Sequence, residues 1–358
     1  MTVGEAKAIA RQWVLDHAVA VPGLQGVLFG GSINALPEDA EYDPLSDIDL
    51  WHLVSQDVSS SVRQRRLVSE GVLLEPAYLP FEAFQNAETV LASWILAGHL
   101  AAPSVILDPS GRLAEVHRIV AEEYPKSWRI LQRCDLVESE LRGTWLPRLS
   151  EETPLSDRLF ALGYFINTVH QLPILATLGL PTLRRSGMLF TQMMFASGKE
   201  PVSEKRLELL GSVRMSGDTV EGLFLDAARA YDRALEIHQF PMPGDFDLSQ
   251  ESRPFMVGGA RDLIERGYHR EAVLWILFVH WIAHAALEME AAEECAHSFE
   301  PAFQRLADNL EILSGSSIAL KRRLAEEVLS ESRSIAQEMV EREWRPFSPW
   351  TPPGQTGG

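Results

Sequence analysis

The sequence predicts an α+β protein in two parts, an N-terminal part mixing helices with short strands and a longer, all-helical C-terminal part. Three observations predict it. Short apolar runs that stop at glycine or proline punctuate the first 125 residues. Long amphipathic segments separated by brief Pro/Gly/Ser breaks fill residues 126–345. The chain has 358 residues, 46% of them hydrophobic, which is more core-forming material than one domain usually needs.

The elements follow in order. Residues 3–18 carry Ala6, Ile9, Ala10, Trp13, Val14 and His17 at helical spacing. Residues 24–29 form an apolar run that stops at Gly30-Gly31, the pattern of a buried strand entering a tight turn. Residues 48–54, 72–78 and 104–108 read as further strands, the last ended by Pro109-Ser110-Gly111. Helices are expected over 89–100 and 112–123. From residue 126 the expected helices run 127–146, 156–178, 187–197, 203–214, 219–239, 252–266, 269–292, 300–313 and 316–343. Pro346 to Gly358 holds four prolines and three glycines, the composition of a flexible tail. The expected domains are therefore 1–125 and 126–345, with a tail at 346–358.

Fifty acidic residues against thirty-two basic ones give a formal charge of −18. Such a surface repels a polyphosphate backbone and attracts cations, which argues against broad nucleic-acid binding and for a cationic partner. Residues 1–125 hold 17 Asp/Glu and 7 Lys/Arg, so the excess negative charge concentrates there. Cys134 and Cys295 are too few and too far apart for a disulfide framework or a metal knuckle, and they suit a reducing cytoplasm. The N-terminus carries Glu5 and Asp16 without the apolar core of a signal peptide. The greasy stretches 89–107 and 272–287 are interrupted or short, so no membrane association is expected.

One constellation carries chemistry. Gly30-Gly31-Ser32 ends the first strand, where the missing Cβ lets backbone amides approach an anion and the serine hydroxyl adds a donor. Asp47 and Asp49 are two apart on the next strand, so both carboxylates project from one face. Adjacent carboxylates repel unless a hard cation such as Mg²⁺ joins them. Glu75, on a third strand beside Asp49, would complete a three-carboxylate cluster facing the glycine turn. A phosphate cradle opposite a carboxylate-bound metal is what phosphoryl or nucleotidyl transfer requires.

Gly31-Ser32, Asp47-x-Asp49 and the later strand acid Glu75, in that order, resemble the polymerase-β-like nucleotidyltransferase superfamily over roughly the first 110 residues. Ser46-Asp-Ile-Asp-Leu50 and the strand-turn Val105-Ile-Leu-Asp-Pro-Ser-Gly-Arg112 look like its small-molecule branch, the aminoglycoside and lincosamide nucleotidyltransferases. The resemblance implies a small mixed sheet flanked by helices, a helical substrate-binding domain after it, and a site in the cleft between the two. It implies Mg²⁺-dependent transfer of a nucleoside monophosphate from an NTP, ATP being the expected one, to a hydroxyl of a small acceptor. Asp47 and Asp49 would hold one or two metal ions, Gly30, Gly31 and Ser32 would grip phosphates, and Glu75 would bind a second metal or act as base. A cationic antibiotic such as an aminoglycoside suits the acidic surface as acceptor, and a monomer or homodimer is expected. Two other readings stand beside this one: a toxin-type or regulatory transferase acting on RNA or protein, and a non-catalytic nucleotide-binding protein.

The segment from Ser32 to Asp47 departs from the pattern, being long, acidic and without Arg or Lys, so cations for the triphosphate must come from elsewhere. Lys126 with Arg129, and Arg184 with Arg185, are the basic pairs considered for that role. Asp135, Glu138 and Glu140 are candidates for the acceptor's base. His280, His284 and Glu288 share a helical face, though their apolar neighbours fit a core helix better than a metal site. P-loop, Gly-x-Gly-x-x-Gly, Cys-x-x-Cys and His-Glu-x-x-His patterns are absent.

Overall fold

The structure, a computed structural model, describes residues 1–55, 58, 65–242 and 244–344, and the expected tail at 346–358 lies outside them. The fold is α+β, with a small mixed sheet in the N-terminal part and a mostly helical C-terminal region. The chain divides into two compact units: one of Met1–Leu136, Ile174–Thr182 and Ala336–Gly358, the other of Val137–Pro173 and Leu183–Ile335.

In the first unit, the five strands β1 (Gly26–Phe29), β2 (Asp47–Val54), β3 (Leu67–Ser69), β4 (Val72–Pro80) and β5 (Val105–Leu107) lie in the order β3-β4-β2-β1-β5. β2 and β4 run parallel, while β1 pairs antiparallel with both β2 and β5, and β3 antiparallel with β4. Strand alternation sorts the side chains. Val27, Phe29, Ile48, Leu50, Val72 and Leu74 face the helix Val3–His17, burying Val3, Ala6, Ala10 and Val14 against it. That helix opens with a capping box in which Thr2 and Glu5 satisfy each other's backbone amides. The other face presents Leu28, Trp51, Leu53 and Ala77 to a second core with Val90, Leu91, Leu100, Leu113, Val116 and Val120. Asp47, Asp49 and Glu75 have the parity of this second face, at the ends where β2 and β4 begin and β1 stops.

Two details differ from the sequence expectation. The helix expected over 89–100 is two helices, Ala87–Leu91 and Leu96–Ala101. The Ser93 hydroxyl accepts the Leu96 amide (3.1 Å), so a side chain takes over a donor near the start of the second helix. The three-residue edge strand β3, absent from the sequence reading, leads into a turn in which Glu70 and Gly71 both adopt positive φ.

The second unit holds no strand among its described residues. Helix Leu155–Ala176, all but its last three residues in this unit, and helix His269–Glu290 are long and apolar enough to cross a membrane, and both are mostly buried within the protein. The second matches the helix expected over 269–292 to within two residues. His280 is fully buried, and burial lowers its pKa to about 3, so it is neutral. His284 stacks on Phe303 (3.9 Å between ring centroids) and bonds Glu300 (2.7 Å), while Glu288 is exposed. The histidine face is core packing. Cys134 and Cys295 are both buried and are not joined to each other by a disulfide.

Candidate active site

β1 ends at Phe29, and the Gly30 amide still donates to the Asp49 carbonyl (2.9 Å), so the glycine turn begins while the chain is hydrogen-bonded to β2. Gly31 then adopts φ 59° and ψ −170°, a conformation open essentially to glycine alone. Space requires glycine as well. A Cβ at Gly31 would fall 1.7 Å from Oδ2 of Asp49, and one at Gly30 would meet the Trp51 indole nitrogen at 2.3 Å. The turn and the second aspartate are therefore in van der Waals contact. Ser32 opens a single 3₁₀ turn, Ser32–Ala35. Asn34 fastens the turn by donating to the carbonyls of Phe29 (2.7 Å) and Gly30 (3.3 Å).

Asp47 and Asp49 sit at the first and third positions of β2 and so share a face. Parallel pairing sets Glu75 of β4 directly across from Asp49. The entry to β2 is held by the Asp43 turn, where the Leu45 amide donates to the Asp43 carboxylate (2.9 Å) and Tyr42 Oη donates to the Ser46 carbonyl (2.6 Å). Gly30, Gly31, Asp47, Asp49 and Glu75 thus converge at one end of the sheet.

A residue that the sequence reading did not single out completes the cluster. Nη2 of Arg66 donates to Asp47 Oδ2 (2.9 Å) and also pairs with Glu75 Oε2, and only 4% of the Arg66 side chain is exposed. Arg66 immediately precedes β3, whose first residue Leu67 pairs with Leu74, so backbone register delivers its guanidinium beside Glu75. The available signal was compositional. Arg63, Arg65 and Arg66 supply three of the seven basic residues of an otherwise acidic half. Spacing alone did not say which acids the last of them meets.

The electrostatics follow. Asp49 keeps some exposure, yet enough protein surrounds it that burial, then the neighbouring Asp47, push its carboxyl from 3.8 up to about 7, with Arg66 opposing. Among the described residues, Asp47, Asp49 and Glu75 lie around the Arg66 guanidinium, three carboxyl groups to one cation. Among the described residues no group of three His, Cys, Asp or Glu is spaced as a ready-made metal site. The oxygen donors of Asp47 and Asp49 nevertheless fit a hard divalent cation, since a second positive charge there would relieve both their repulsion and the burial cost.

The other basic candidates have partners elsewhere. Lys126 pairs with Glu123. Arg129 forks onto Glu88 (2.6 and 2.7 Å) and stacks on Trp128 (3.9 Å). Arg184 and Arg185 belong to the helical unit, where Arg184 lies buried over the Phe255 ring (5.3 Å) and against Gly259, while Arg185 is half-buried. Of the candidate bases, Glu138 pairs with Arg142 (2.8 Å), Glu140 accepts from Trp145 Nε1 (3.1 Å), and Asp135 is exposed. Lys126 and Arg129, the two basic candidates in the first unit, thus pair with Glu123 and Glu88 and not with the acids of the cluster. A scan of the sequence against protein-family models returns no match, and a search of curated proteins returns none either.

Proposed function

We propose that the first unit carries a magnesium-dependent nucleotidyltransferase site, moving a nucleoside monophosphate from an NTP such as ATP to a hydroxyl of a small molecule and releasing pyrophosphate. One observation carries the reading: the Asp49 carboxylate touches Gly31, with Asp47 on the same strand face and Glu75 opposite. An anion seated on the glycine turn and a cation on the two aspartates would then be neighbours.

In this reading the Gly30-Gly31 backbone and Ser32 bind the phosphates, where no side chain at position 31 stands in the way. Asp47 and Asp49 would hold magnesium, which would supply neutralisation of the phosphate charge. The acceptor oxygen attacks the α-phosphorus, the bond to the bridging oxygen breaks, and pyrophosphate leaves. Glu75 takes the acceptor's proton, a role its place opposite Asp49 suits. The formal charge of −18 favours a cationic acceptor, an aminoglycoside-like polyamine above all, met in the cytoplasm by a monomer or homodimer.

The test is pyrophosphate release from each NTP with Mg²⁺ and a panel of acceptors that includes aminoglycosides, RNA and protein. Release above the level of an Asp49→Asn variant supports the reading, and the acceptor that elicits it decides between small molecule and macromolecule. Calorimetric NTP binding without pyrophosphate for any acceptor would favour a non-catalytic nucleotide-binding protein. The hold of Arg66 on two of the three acids speaks for that second reading.

A further inference from the structure

We propose that Arg66 is the resting counter-ion of the acid cluster, exchanged from the carboxylates onto a polyphosphate when a divalent cation binds Asp47 and Asp49. The inference rests on the nucleotidyltransferase reading and deepens it, since it supplies the phosphate-binding cation that the segment between Ser32 and Asp47 lacks.

The geometry has three parts. A single guanidinium nitrogen of Arg66 serves both Asp47 and Glu75, so one cation spans two strands. Arginine keeps its proton at any physiological pH, so loss of the guanidinium charge does not release these contacts, whereas a competitor for the carboxylate oxygens does. A hard cation is such a competitor: once it draws on the oxygens of Asp47, the attraction holding Nη2 weakens.

The third part concerns where the guanidinium goes next. Arg66 leads into edge strand β3, whose pairing to β4 fixes its backbone beside Glu75. Its partner Asp47 shares a strand face with Asp49, and Asp49 touches Gly31. A planar fork of donors released from a carboxylate is equally matched to phosphate oxygens. A polyphosphate lying along the glycine turn would offer such oxygens without moving the backbone of β3. The metal-free protein thus carries its own neutralising charge, which becomes a ligand for the substrate.

The experiment measures Mn²⁺ binding to the full chain by electron paramagnetic resonance, with and without inorganic tripolyphosphate, in the wild type, Arg66→Gln, Arg66→Lys and Asp49→Asn. Arg66→Gln is expected to bind Mn²⁺ alone about tenfold more tightly, because a competing positive charge is gone. Tripolyphosphate is expected to tighten Mn²⁺ binding in the wild type, and that gain should vanish in Arg66→Gln. Should Arg66→Gln not fold, Arg66→Lys carries the test. It keeps the charge and loses the fork, so Mn²⁺ binding alone should stay near wild type while the tripolyphosphate gain shrinks.

Unchanged or weaker Mn²⁺ binding in Arg66→Gln, or an undiminished tripolyphosphate gain in Arg66→Lys, would overturn the exchange. In those cases Mn²⁺ binding abolished by Asp49→Asn would leave the nucleotidyltransferase reading standing. No Asp49-dependent Mn²⁺ binding in any variant would overturn both.

Discussion

Oδ2 of Asp49 and the α-carbon of Gly31 leave no room for a methyl group between them: a Cβ on Gly31 would fall 1.7 Å from that oxygen. Contact this close joins two features that lie on opposite sides of a long acidic loop in the sequence. It also means that changes to either residue are felt by the other.

Gly31→Ala combines that collision with a backbone conformation that side chains avoid. The conformational strain alone costs about 1–3 kcal/mol. The variant is expected to unfold at lower urea concentration and to lose phosphate binding, read by tripolyphosphate calorimetry. Retention of both wild-type stability and wild-type binding would show that the turn holds no anion and relaxes freely.

Asp49 makes stability depend on pH in a definite direction. Its carboxyl titrates near 3.8 ordinarily and is pushed up to about 7 in the folded chain, so between these values the folded state holds a proton that the unfolded state has lost. Without metal, this contribution to stability is full below about pH 4 and is lost as pH rises through about 7. Asp49→Asn removes the slope. Urea midpoints measured across this range for both proteins give the difference directly, and parallel curves would contradict the assignment.

Glu75→Gln separates chemistry from packing. As base, Glu75 contributes about 10²-fold or more to turnover, so pyrophosphate formation should fall by that factor with little change in KM for the triphosphate. A fall confined to stability, with turnover per folded molecule intact, would reduce Glu75 to a partner of Arg66.

The helical unit offers a separate titration. Lys321 is buried, donates to the Glu208 carbonyl (2.9 Å), and burial lowers its pKa from 10.5 to about 8. Here the unfolded state holds the extra proton, so this contribution grows as pH rises from about 8 to about 10.5 and is lost as pH falls through about 8. Lys321→Met should flatten that alkaline rise in denaturant midpoints, and an unchanged rise would place its origin elsewhere.

How much of this was legible in the sequence depends on the range over which each feature is decided. β1, β2, β4 and β5 were readable because each is an apolar run with its own stop signal. Gly30-Gly31 and Asp47-x-Asp49 were readable as local patterns whose geometry a turn and a strand impose unaided. Two things were not. β3 is three residues long, too short for periodicity, and exists because β4 offers it an edge. Arg66 acquires its partners through that same pairing, so its place in the cluster is a consequence of tertiary register, which no local window contains. The split of the helix expected over 89–100 lies between these cases: Ser93 was visible, but its choice to serve the Leu96 amide was not.

The parallel pairing of β2 with β4 has a kinetic corollary. Such strands cannot zip from a hairpin, so the segment between them must first be laid out as a crossover. Closure then brings Glu75 against Asp49, beside the Asp47 that already shares its strand face, a cost in repulsion incurred on the way to the native state. Arg66 arrives on the segment that makes the crossing and brings compensation with it, and dissolved salt would do the same from outside by screening. The acids gathered at one end of the sheet thereby slow the approach to the native shape, and Arg66 offsets part of that repulsion.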